Sequence, residues 1–138
     1  MEQGPAMPLI EWNNDWMIGH PTIDFDHQTL VNITNQLYDM RRAPKVSNAQ
    51  LSQCMDQLVQ YVERHFKREE DIFAATQYPL ADGHKKMHRE LERVAREIAD
   101  LFRREPDLLN LNEVIEFLRR WLIDHIAKHD MGYKEYLR

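Results

Sequence analysis

The stretch LADGHKKMHRELERVAREIADLF, residues 80–102, decides the fold. Leu80, His84, Met87 and His88, Leu91, Val94 and Ala95, Ile98, and Leu101 and Phe102 recur at the spacing of one helical face. Two imidazoles therefore stand on a stripe that otherwise reads as core. A buried polar group left unpartnered costs roughly 1–3 kcal/mol, against a domain stability of about 5–15 kcal/mol. Something has to bind them.

Three more stripes repeat the pattern. Over residues 22–41, Ile23, His27, Leu30, Ile33 or Thr34, and Leu37 share a face, and Pro44 ends the region. A second helix opens at Ser47, with Gln50 three residues on in the manner of a capping box. Its stripe runs Leu51, Cys54, Met55, Leu58, Val62, His65, Glu69, Ile72. Pro79 fits the first turn of the third helix and Pro106 closes it. The fourth follows Asn110 or Asn112 as cap and carries Val114, Leu118, Trp121, Leu122 and His125. No alternating run bounded by turn residues points to a strand.

Helices of about 20–26 residues with short links predict an all-α, antiparallel up-down-up-down four-helix bundle. An N-terminal arm, residues 8–20, is expected to pack Trp12 and Trp16 against it. His27 lies near the start of its helix, His65 and Glu69 near the end of theirs. His84 and His88 come near a start, His125 and Asp130 near an end. In an up-down-up-down bundle all four ends share one pole, so every stripe delivers its polar residues to one level of one core.

At 138 residues, 43% hydrophobic and 30% charged, the chain is sized for one globular domain. Residues 1–7 read as a leader or cloning remnant and residues 8–138 as the domain. A formal charge of −5 gives no electrostatic support to nucleic-acid or acidic-membrane binding. No apolar run reaches a membrane span, and Arg41 is the first basic residue, so the basic head of a secretory signal is missing. The lone Cys54, a small core residue, fits a reducing compartment, and a cytoplasmic location is expected. Lys67–Arg68 and Arg103–Arg104 read as solvated surface, and His20 as a surface or capping residue.

Spacing now gives the cluster its chemistry. His84 and His88 are i,i+4, able to chelate one ion, and His65 and Glu69 share that spacing. His125 and Asp130 do not fit as well. Five residues advance a regular helix by about 500°, leaving the two roughly 140° apart. His129 is the better partner on regular geometry; Asp130 reaches the face only where the helix widens to a π-like turn or unwinds. Seven nitrogen and oxygen donors are too many for one tetrahedral zinc, and no H-E-x-x-H run exists. Calcium and magnesium prefer all-oxygen sites. Two six-coordinate first-row ions fit, iron first among them. No Glu precedes a His by three residues, so this is not a carboxylate-rich di-iron bundle.

IDFDHQTL around His27, HFKREE from His65, HKKMH from His84 and HIAKHD from His125 together resemble the hemerythrin family. PLIEW through IGHPTID, residues 8–24, is similar to its bacterial branch, the bacteriohemerythrins. The resemblance implies a non-haem di-iron centre that binds dioxygen reversibly, and it favours Asp130 over His129. It implies His84, His88 and His125 on one iron, His27 and His65 on the other, and Glu69 and Asp130 bridging with a solvent-derived oxo or hydroxo group. The two-His iron would then keep one open position for dioxygen.

Phe66, beside a ligand, and Leu122, almost one turn before His125, are expected to line a dry oxygen pocket with Trp121 and Leu30. Tyr133, three residues past Asp130, is placed to hydrogen-bond or shield the site. No nucleophile–base pair or Gly-rich phosphate loop is visible, so an oxygen carrier, storage or delivery protein is expected, not an enzyme. The partners expected are dioxygen and a protein recipient for it, with the chain monomeric. The rivals are a di-iron oxidase, peroxidase or nitric-oxide-handling enzyme, and an oxygen- or iron-sensing module.

Overall fold

The computed structural model describes residues 8–137, with only the backbone described at His129 and Met131. The expected leader, residues 1–7, lies outside the described residues. Four α-helices form the bundle: α1 (Pro21–Arg42), α2 (Asn48–Thr76), α3 (Ala81–Arg104) and α4 (Leu111–Asp124). A π-helical segment, His125–Asp130, continues α4 and runs into a 3-10 helix, Met131–Leu137. No strand occurs among the described residues. None of their helices is long and apolar enough to cross a membrane.

Local chemistry sets the helix ends. Pro21 begins α1, where its missing N–H would be unpaired anyway, and His20 Nδ1 accepts from Ile23 N at 3.4 Å. Ser47 and Gln50 form the reciprocal capping box of α2. Ser47→Ala is expected to cost about 1 kcal/mol, read as a lower urea midpoint with an unchanged slope. Asn110, not Asn112, caps α4 by accepting from Glu113 N. Pro79 sits one residue before Leu80, the cap of α3, so it shapes the α2–α3 turn and not the first helical turn.

The lengths depart from expectation. α2 reaches 29 residues, while α4 has only 14 before its geometry changes. The change falls where Asp130 needs it.

α1 packs on α2 and α4, and α2 on α3. The core forms three layers. Leu37, Leu51, Cys54, Phe102, Leu111 and Ile115 fill the far pole. Leu30, Leu58, Val62, Phe66, Leu122 and Ile126 fill the middle. Ile18, Ile23, Phe73, Tyr78 and Tyr133 close the near pole. Each fully buried Leu, Ile or Phe contributes roughly 1.5–3 kcal/mol. Along every helix, the metal-capable residues fall between the middle and near-pole layers.

The arm is pinned by polar bonds as well as by its indoles. Ile10 and Asn35 exchange two hydrogen bonds of 2.8 Å. Asp24 accepts from Ile18 N at 2.8 Å and Gly19 N at 3.1 Å, with Gly19 at φ 87°, a left-handed turn that glycine makes without strain. Trp12 and Trp16 meet edge to face and pack on the middle layer. Arg93 bridges Glu90 and Glu97 on the outer face of α3, an exposed set that adds little stability.

Candidate metal centre

All five candidate histidines turn Nε2 toward the carboxylates of Glu69 and Asp130. Two overlapping groups result: His27, His65, Glu69, His125 and Asp130, and Glu69, His84, His88 and His125. Within each group one donor atom per residue lies within 4.8 Å of the others, and every member is buried. Together they contain all seven residues singled out from the sequence.

Asp130 touches both sides of the cluster. Its Oδ2 lies 2.5 Å from His27 Nε2 and 2.8 Å from His125 Nε2, and its Oδ1 lies 3.2 Å from His84 Nε2. Glu69 Oε1 stands 3.2 Å from Nε2 of both His65 and His125 and 3.3 Å from that of His88. The π-helical segment from His125 to Asp130 makes this possible. A π turn takes more residues per revolution, which swings Asp130 back onto the face of His125. The side chain of His129, its rival, lies outside the described residues.

The arrangement is chemically incomplete as a protein-only core. His88 Nε2 and Glu69 Oε1 are fully buried without a hydrogen bond among the described residues. The Nε2 atoms of His65 and His125 face one another at 3.3 Å. Two imidazole nitrogens at that distance need a shared proton or a cation. Imidazole nitrogens converging on two shared carboxylates are a coordination set of first-row cations, and the residues present fit a pair of such ions.

Two histidines are oriented by acids from outside the cluster. His65 Nδ1 donates to Asp26 at 3.0 Å, and Asp26 also accepts two bonds of 2.7 Å from Arg68 and one of 2.9 Å from Tyr61. Arg68 is thus not the solvated surface residue expected, because the buried Asp26 draws its guanidinium inward. His88 Nδ1 donates to Glu70 at 2.9 Å, and Arg89 pairs with Glu70. Each carboxylate fixes the tautomer that leaves Nε2 facing inward, as metal-bound imidazoles require. These roles of Asp26, Arg68, Tyr61, Glu70 and Arg89 did not emerge from the sequence. The signal was the acid next to each metal-capable residue: Asp26 precedes His27, and Glu70 follows Glu69.

The charges are strongly coupled. Burial would raise the Asp26 carboxyl, but the bonds from His65 and Arg68 outweigh it and hold it at about 2. Burial pulls His125 down, yet Asp130 and Glu69 carry it up to about 9. His65 follows the same logic and rises well above its ordinary value. Asp130 and Glu69 are driven low by these imidazoles despite burial. Burial and the nearby carboxylates raise the Tyr133 phenol far above its usual range, so its hydroxyl remains a donor, bonding Glu69 Oε2 at 2.5 Å.

Phe66 stacks on His88 with ring centroids 3.8 Å apart, and Trp121 stacks on His125 at 5.3 Å. Leu30, Leu122 and Phe66 form one buried apolar wall beside the cluster, with Trp121 packed against it. Trp121 also lines an apolar cavity of about 30 Å³ between α2, α3 and α4. Phe66, Leu122 and Leu30 are absent from that cavity's lining.

Residues 19–137 match the profile of the Hemerythrin HHE cation binding domain. The chain belongs to the hemerythrin family. A bacteriohemerythrin of Pseudomonas aeruginosa is 30% identical over 132 residues, covering 96% of this chain and 84% of that one. A bacteriohemerythrin of Aquifex aeolicus is 30% identical over 126 residues, covering 88% and 92%. A crystal structure of wild-type hemerythrin superposes with a TM-score of 0.84 at 27% identity, covering 94% of this chain and 98% of the other. A hemerythrin mutant in which one leucine is replaced by alanine gives 0.85 at 26% identity, covering 95% and 98%. These likenesses agree with the four-helix bundle that the stripes predict.

Proposed function

We propose that this hemerythrin-family chain binds dioxygen reversibly at two irons held by His27, His65, Glu69, His84, His88, His125 and Asp130. The observation that carries the reading is the convergence of five Nε2 atoms on two buried carboxylates, both of which reach across the cluster. Apportioned as the family resemblance implies, His84, His88 and His125 would hold one iron and His27 and His65 the other. Two irons held there would supply the electrons that reversible binding of dioxygen needs.

The chain's own residues do the rest. Glu69 and Asp130 neutralise cationic charge inside a dry core, where an uncompensated ion would be costly. Asp26 and Glu70 hold the rings of His65 and His88. Phe66, Leu122, Leu30 and Trp121 exclude water from the same level, which disfavours the charge separation that leads to irreversible oxidation. Residues 8–138 act as one domain, monomeric and cytoplasmic, that hands oxygen to a protein recipient and performs no turnover of its own.

Iron analysis joined to absorption spectra tests this. Two irons per chain are expected, with an optical change that reverses through repeated oxygenation and deoxygenation. Irreversible oxidation on first exposure would remove the carrier reading. Rapid steady-state consumption of peroxide or nitric oxide would replace it with an enzymatic one.

A further inference from the structure

Three tyrosines form a file from the metal centre to the surface. Tyr133 is completely buried, and its hydroxyl donates to Glu69 Oε2. The Tyr133 ring stands 5.8 Å from that of Tyr78, and Tyr78 stands 5.2 Å from Tyr136, centroid to centroid. Tyr78 is 6% exposed and Tyr136 38%, so the file opens to solvent only at its outer end. Phe73 flanks the two inner rings at 5.0 and 5.1 Å and keeps that stretch dry.

Tyrosine is one of the few side chains that can give up a single electron, provided that its phenolic proton leaves at the same time. Tyr133 has its proton acceptor already hydrogen-bonded. Electron tunnelling falls exponentially with distance, so two short ring-to-ring steps are far faster than one jump across the whole span.

We propose that Tyr133, Tyr78 and Tyr136 relay electrons inward when a peroxide reacts at the metal centre, carrying the oxidising equivalents out to the surface. The proposal rests on the two-iron reading above. Hydrogen peroxide needs two electrons and two protons to become two waters. Each electron leaves Tyr133 as its phenolic proton shifts to Glu69. Tyr78 refills Tyr133, which recovers that proton, and Tyr136 refills Tyr78, so each relay ends with one hydrogen atom removed from Tyr136. A thiol restores it slowly, as repair after an occasional peroxide and not as steady turnover, two thiols giving one disulfide per peroxide. Without a thiol, the oxidised Tyr136 takes one hydrogen atom from Tyr136 of a second chain, passes on the second electron, and the two tyrosyl radicals couple: two tyrosines and one peroxide give one dityrosine and two waters. The relay spares the ligand histidines and the surrounding core from oxidation.

The test treats the iron-loaded full chain with stoichiometric hydrogen peroxide, after iron content is measured. Readouts are dityrosine fluorescence, covalent dimer on a denaturing gel, peptide mapping of the cross-link, and freeze-quenched electron spin resonance. The wild-type chain is expected to cross-link through Tyr136 and to show a tyrosyl radical. Tyr136→Phe loses the dimer. Tyr78→Phe keeps the ring packing and the exposed Tyr136 but breaks the file, so it loses the dimer too. Tyr133→Phe breaks the file at its inner end, with the same result. Wild-type cross-linking in Tyr78→Phe or Tyr133→Phe would mean direct oxidation at the surface and would overturn the relay. Oxidation collecting on Trp121, which stacks on His125, would overturn it as well. A chain that holds no iron before peroxide is added fails the metal reading itself, and the iron measurement separates that failure from a failure of the relay.

Discussion

Asp130→Asn is expected to abolish loading of the iron pair and to destabilise the metal-free chain by about 3–5 kcal/mol, the cost of removing one partner of a buried ion pair. Asp130 Oδ2 lies within 3.5 Å of Nε2 of His27, His65 and His125, and Oδ1 meets His84, so one substitution strips charge from both sides of the cluster. The amide keeps the size of the carboxyl, which separates the electrostatic effect from a packing defect. Iron per chain by elemental analysis and the urea midpoint of the stripped protein measure the two effects. A variant that retains two irons at unchanged stability would remove Asp130 from the ligand set. Glu69→Gln is the milder comparison, because Tyr133 continues to hold the Glu69 side chain from outside.

The phase and depth of the metal-capable residues were legible because they lie on helices whose apolar neighbours reveal the inner face. His84 and His88 could be placed from Leu91 and Ile98 alone. Asp130 was half legible. Regular helical geometry argued against it, and the local widening that brings it inward is a property of the folded chain, where the contacts of Asp130 with His27, His84 and His125 can offset a less favourable turn.

Asp26 and Glu70 were not legible, because each serves a histidine on a neighbouring element or distant in sequence. Asp26 meets His65 across 39 residues, and Glu70 meets His88 across 18. A periodicity argument sees only one helix at a time, so an acid between two faces reads as solvated. Pro79 misled for a related reason. Proline suits a first helical turn, but here Tyr78 packs on Phe73 and the turn is completed before α3 begins.

Without metal, the chain is expected to lose stability as pH rises from 6.5 to 9, whereas the iron-loaded chain keeps it. His125 carries a folded-state pKa of about 9 against an ordinary 6.5, so its contribution is complete below 6.5 and is lost as pH rises through 9. That shift corresponds to roughly 3 kcal/mol. His65, also raised, acts in the same direction. Asp130 is depressed below its ordinary 3.8, so its contribution is present above 3.8 and disappears as pH falls further. The metal-free optimum therefore lies between 3.8 and 6.5. Cations bound at Nε2 replace the imidazolium protons, so loading at neutral pH releases those of His65 and His125 and removes the alkaline loss. Urea titrations of stripped and loaded protein across this range, with proton release measured by calorimetry in buffers of different ionisation enthalpy, decide the matter. Parallel pH–stability curves in the two states would mean that the imidazoles neither hold protons in the empty cluster nor surrender them to metal.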